Sequence, residues 1–127
     1  MTPTSVKFHK GAGSLELVYS DANSFTLSGE FLRVHSPSAE VRGHGPGEEI
    51  LQHGKKEVKI ASLEAAGHYA LLIHFDDGHN TGIYSWSYLK ELCDQQAEYW
   101  DKYLRLLNEA GLSRDPEEQA LKFFNPS

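Results

Sequence analysis

The sequence predicts an α+β domain in which a small, mainly antiparallel β-sheet packs against a long C-terminal helix. Three observations carry that prediction. Leu15, Leu17 and Tyr19 alternate with Ser14, Glu16 and Ser20, the period of a strand with one wet face. The most apolar run of the chain, "HYALLIHF", is followed at once by the turn sequence "DDGHN" and then by "TGIYSW", which reads as two strands reversing on a tight turn because glycine allows positive φ. From Ser85 the period lengthens: Trp86, Leu89, Leu92 or Cys93, Ala97, Trp100, Tyr103, Leu104 and Leu107 recur every three or four residues, one face of an amphipathic helix.

In chain order, "VKFHK" and "LELVYS" are divided by "GAGS" and read as a β-hairpin. After "SDANS", Phe25 to Leu27 extend a strand, and Ser28 can cap one helical turn over "GEFLRV". Ser36 to Lys56 holds two prolines and four glycines with almost no apolar period, so an ordered loop is expected, with a short helix around Ala39 to Val41. The sheet is expected to combine Leu15 to Tyr19, Val58 to Leu63, Tyr69 to Phe75 and Gly82 to Ser85. Ser85 or Ser87 can cap the long helix, and Gly111 stands where it should end; whether it breaks near Asp94 is not legible. Asp115 and Pro116 can open a second short helix.

Composition narrows the function classes. At 127 residues, 39% hydrophobic and 24% charged, the chain fits one folded domain. A net charge of −6 argues against nucleic acid and against anionic membranes, both of which favour a basic face. Cys93 is the only cysteine, so no intrachain disulfide and no multi-cysteine metal site is available from one copy. No apolar run approaches a membrane span and the N-terminus does not read as a signal peptide, so a soluble, cytoplasmic protein is expected.

Chemistry-bearing motifs are sparse. Seven histidines invite a metal, yet no His-Glu-x-x-His spacing occurs, and each histidine taken singly reads first as a surface or hydrogen-bonded structural residue. Ser36 and Ser38 lie near His35 and His44 in "RVHSPSAEVRGH", but serines beside proline are commonly turn formers, and no Gly-x-Ser-x-Gly elbow exists. "RGHGPGEE" ends in two acids where a phosphate loop needs Gly-Lys-Ser/Thr. Cys93 falls on the apolar helix face and reads as packed and inert. Trp86, Tyr88, Trp100 and Tyr103 read as core before they read as ligand-site walls. An enzyme here would have to use Asp76, Asp77 and His79 for acid–base work, without a nucleophile or cofactor motif.

Two stretches in combination, "EFLRVHSPSAEVRGH" and "GHYALLIHFDDGHNTGIYSWSYLKEL", resemble the gamma-butyrobetaine hydroxylase-like N-terminal domain, a small family also filed as a domain of unknown function. The resemblance runs from about Val6 to Leu92. It implies a domain over residues 1–94, with 95–127 as a helical C-terminal extension of that domain. In the oxygenases that give the family its name, this domain precedes an iron- and 2-oxoglutarate-dependent catalytic domain. It holds a structural zinc through a Cys-x-Cys-x-x-Cys knuckle and a later histidine. Carried over, the ligand positions are Ser36, Ser38, Val41 and His79, and His79 is the one retained ligand. Neutral hydroxyls are poor zinc ligands and valine has no donor, so the resemblance implies a degenerate site without zinc. Hydrogen bonds among Ser36, Ser38, Asp77 and His79 could replace the metal's tie.

Family members without the oxygenase domain occur as short bacterial proteins, and similar domains are appended to P-loop ATPases of iron–sulfur cluster assembly. The expectation is therefore a non-enzymatic binding or adaptor module for a protein partner or small ligand, with no cofactor. The alternative is a metal-handling accessory factor, with zinc or iron bound, in iron–sulfur or iron-enzyme assembly. The aromatic face of the C-terminal helix has two uses: covering its own sheet, or pairing with a second copy in a homo-oligomer.

Overall fold

Among residues 1–117, which the computed structural model describes, six strands and four helices follow in the order β1 (Ser5–His9), β2 (Ser14–Val18), β3 (Ser24–Leu27), α1 (Gly29–Val34), α2 (Ala39–Arg42), β4 (Ile60–Ala66), β5 (Ala70–Phe75), β6 (Gly82–Ser85), α3 (Trp86–Asp94) and α4 (Gln96–Ala110). The class is α+β as expected, but the strands form two antiparallel three-stranded sheets, β1-β2-β3 and β4-β5-β6. The single sheet predicted above is thus corrected: Leu15 to Val18 belongs to a different sheet from the later strands. Each sheet is a meander of neighbours in sequence, and the helical knuckle and long loop between β3 and β4 separate them.

The two sheets meet at a seam where the Ile60 amide donates to the Gly13 carbonyl, 3.0 Å. Gly29 is packed into it so closely that an added Cβ would lie 2.6 Å from the Val58 carbonyl oxygen and 2.8 Å from the Lys59 Cα. This crowding accounts for the late start of β4 at Ile60: Val58 turns back on Lys55, and the Lys59 amide is taken by the Asp76 carboxylate.

The period-2 reading of β2 holds in detail. Leu15 and Leu17 are fully buried, with Tyr19 just beyond the strand, while Glu16 faces out and accepts from Ser24 and pairs with His9. From the other sheet Leu71, Ile73 and Phe75 meet them, joined by Phe31 and Leu32 of α1 and Leu89, Leu92 and Cys93 of α3. Fully burying such side chains contributes about 2 kcal/mol each before entropy is counted.

Ser28 caps α1 by accepting from the Phe31 amide, 3.0 Å, and Ser85 caps α3 by accepting from Tyr88, 3.1 Å. The C-terminal helix divides at Gln95, whose φ of −106° and ψ of 16° lie outside the helical well. The division has a tertiary cause. The buried face of α3 follows the main core, whereas Tyr103 and Leu107 of α4 join Val34 in a second cluster, and Trp100 touches both. The aromatic face is therefore used within the chain, leaving Leu104 and Leu106 partly exposed. Gly111 ends α4 in the left-handed conformation. The short helix expected from Asp115 lies largely outside the described residues. Among the described residues no helix is long and apolar enough to cross a membrane.

Candidate functional site

The turn between β5 and β6 and the knuckle between α1 and α2 come together. The Phe75 amide donates to the His79 carbonyl, 3.0 Å, and the Gly78 amide donates to the Phe75 carbonyl, 3.1 Å, which closes the turn and brings the His79 imidazole inward. There the Ser36 hydroxyl lies 2.8 Å from His79 Nε2 and the Ser38 hydroxyl 3.3 Å from the same atom. Ser36 Oγ also accepts from the Ser38 amide, so its own proton is free to go to Nε2. On the other side of the ring Nδ1 faces Glu40 Oε2 at 3.4 Å, and Thr81 donates to the second oxygen of Glu40. This pattern assigns the proton to Nδ1 and the lone pair to Nε2. Gly82 makes the approach feasible, since a Cβ there would lie 2.6 Å from Ser36 Oγ.

Charge supports the same junction from behind. Asp77 accepts from Arg33 Nε and Lys55 Nζ, both 2.8 Å, through one oxygen and from the His79 amide through the other. Burial works to raise the Asp77 pKa, but those donors outweigh it and hold the carboxyl at about 2. Burial lowers the His79 pKa first and the nearby Arg33 charge adds to this, with Glu40 and Asp77 opposing only in part. The imidazole is accordingly neutral at pH 7.

A zinc ion does not suit this group. Ser36 and Ser38 present neutral hydroxyls, Val41 has no donor atom, and the Nε2 lone pair that would take the metal already accepts from Ser36. Among the described residues no set of three His, Cys, Asp or Glu side chains is gathered as metal ligands would be. The connection Ser36–His79–Glu40 also has the order of an acyl-transfer triad, which sequence adjacency did not suggest. Its serine is 1% exposed, however, and a nucleophile must touch its substrate.

A cleft of about 550 Å³ opens on the outer side of the knuckle, within the range of small-ligand sites. One wall is α1 and α2, another the loop from Glu49 to Gln52, and the third α3 and α4. Val41 lines it, so this position serves the cleft rather than a metal. His35 sits on the wall with Nδ1 bonded to the Phe31 carbonyl at 2.8 Å and its ring stacked on Tyr99. Burial lowers the His35 pKa, opposed by that carbonyl bond. Tyr88 donates to the His35 carbonyl and Tyr103 to the Gln52 carbonyl. Through Gln52, which accepts from Arg33 Nη1 at 3.1 Å, the cleft wall is tied to the Asp77 junction.

The remaining candidates lie elsewhere. His74 pairs with Glu64 across two strands, and His44 is exposed in the loop. Cys93 is buried, and burial pushes its thiol up to about 11, which keeps it unreactive. Asp76 serves the seam through Lys59. Of the residues that sequence reasoning missed, Glu40 had a signal: it is the acid inside the knuckle. Arg33, Gln52, Tyr99 and Lys102 had none, because their meeting depends on the path of the loop and the break at Gln95.

Comparison with known proteins gives a consistent picture. The family described as gamma-butyrobetaine hydroxylase-like, N-terminal, matches residues 6–90. One protein solved by solution NMR is 48% identical, with a TM-score of 0.79, covering 91% of this chain and 90% of its own. A second NMR structure is 43% identical, with a TM-score of 0.75, over 91% and 86%. A crystal structure from Acidithiobacillus ferrooxidans, of a protein of unknown function in the DUF971 family, is 34% identical, with a TM-score of 0.59, over 72% and 91%. A search of curated proteins found no match.

Proposed function

The chain belongs to the gamma-butyrobetaine hydroxylase-like N-terminal family, and from that premise we propose that it is a non-enzymatic module that binds a small ligand in the cleft beside the knuckle. The observation that carries this reading is the cleft itself: a concavity of about 550 Å³ with aromatic walls and a few polar groups. Its walls are braced by hydrogen bonds from Tyr88 and Tyr103 to backbone carbonyls, so the site is formed before a ligand arrives. The zinc of the family is replaced by the Ser36–His79 bond, which joins the knuckle to the turn without a metal. Binding without turnover is supported by the burial of Ser36, whose hydroxyl lies 2.8 Å from the His79 imidazole.

A fragment screen by protein-observed NMR on the full chain tests it. Binding is expected to shift amides of Arg42, Ile50, Tyr88 and Tyr99 together. Hits that cluster anywhere else, or no hits, would overturn the cleft as the binding site. The metal-handling alternative predicts instead that added zinc or iron raises the melting temperature of untagged protein.

A further inference from the structure

Resting on the reading of the cleft as a ligand site, we infer that its ligand is a small organic anion: a carboxylate on a flat apolar body. The four charged side chains on the walls are not equivalent. Glu91 accepts the Tyr99 hydroxyl and is thus already engaged, while Glu49 is exposed, with Lys102 among the charges acting on it. Arg42 and Lys102, on opposite walls, belong to none of the ion pairs among the described residues.

Arg42 places its guanidinium over the Tyr88 ring, 4.7 Å from the centroid. That contact occupies a ring face which a cationic ligand would need, while the guanidinium edge keeps donors in the fork geometry that suits a carboxylate. The same walls carry apolar and aromatic surface from Val41, Ile50, Leu106 and the Tyr99 ring against which His35 stacks, beside the polar Ser36 and Gln52. With Nδ1 of His35 committed to Phe31, Nε2 is its remaining polar atom and can accept from a ligand hydroxyl. The net charge of −6 opposes an anion at long range, so its attraction to the cleft must come from this local pair.

Three matched probes separate the cases: phenylacetate, its neutral isostere phenylacetamide, and the cation phenethylammonium, each titrated into the labelled full-length chain at low salt. Phenylacetate is expected to shift the cleft amides saturably and about tenfold more tightly than the amide. Arg42→Gln and Lys102→Gln, both at exposed positions, are expected to weaken phenylacetate about fivefold each and leave the amide's binding unchanged. Amide or cation binding in the cleft as tightly as the acid would overturn the anion and leave the ligand site standing. If none of the three moves a cleft amide, the ligand-site reading falls with it.

Discussion

Ser36→Ala tests the hydrogen-bonded junction most directly. The hydroxyl donates to His79 Nε2 at 2.8 Å, in a site where Ser36 is 1% and His79 6% exposed. Its loss removes one net hydrogen bond, about 1 kcal/mol, and strands a buried acceptor, a further 1–3 kcal/mol. Ser38, at 3.3 Å from the same nitrogen, recovers part of this by closing the gap. The expected loss is therefore about 2 kcal/mol, read from the urea midpoint at constant m.

The pH dependence supplies a second readout. The folded His79 pKa is lowered from 6.5, so the unfolded chain takes up a proton that the folded chain resists. Stability from this group is complete above pH about 6.5 and is lost as pH falls through the lowered folded value. Removing the Ser36 donor weakens the preference for the neutral ring, so the variant's slope should be shallower, though His35 still contributes in the same window. A loss below about 0.5 kcal/mol, or a loss with a steeper acid slope, would refute the assigned donor and tautomer.

Four other outcomes follow from the same geometry. Asp77→Asn should cost about 1–2 kcal/mol at pH 7 after solvent screening and flatten stability between pH 4 and 2, where the native carboxylate, with its folded pKa of about 2, loses its contribution; urea unfolding across pH checks it. Gly29→Ala should lower the melting temperature by roughly 5–10 °C, because backbone atoms within 3 Å cannot yield and the better helix propensity of alanine offsets only about 1 kcal/mol. Tyr19→Phe should be neutral or stabilising by about 1 kcal/mol in thermal unfolding, since the buried Tyr19 hydroxyl makes no well-formed hydrogen bond among the described residues and faces only the weakly bonding Cys93 thiol. Installing cysteine at Ser36, Ser38 and Val41 together should create tight zinc binding, measured against the parent chain by metal content and by the cobalt–thiolate absorption band.

The seam explains why one sheet was expected and two are found. Alternation in β2 and in β5 reports a buried face on each strand, but not whether those faces belong to one layer or oppose each other across a core. Leu17 and Ile73 are both fully buried and would satisfy either arrangement. The knuckle was more legible, since the resemblance pairs Ser36 and Ser38 with His79 over more than forty residues, and the hydroxyls do lie at 2.8 and 3.3 Å from it. Glu40 completes that group from within the same short stretch, whereas Arg33 and Lys55 reach Asp77 from separate segments with no shared pattern.

By itself the sequence determined the class of the fold, the approximate place of most elements, the Ser28 cap and the family, and narrowed the next cap to Ser85 or Ser87, because period, capping and turn chemistry are local properties of neighbouring residues. Tertiary structure alone decided the second sheet, the break at Gln95 and the cleft. Each depends on which surfaces meet: α3 follows the main core, α4 turns to Val34, and the groove between them draws Tyr88, Tyr99 and Lys102 from positions whose helical spacing, taken alone, says only that a face is buried.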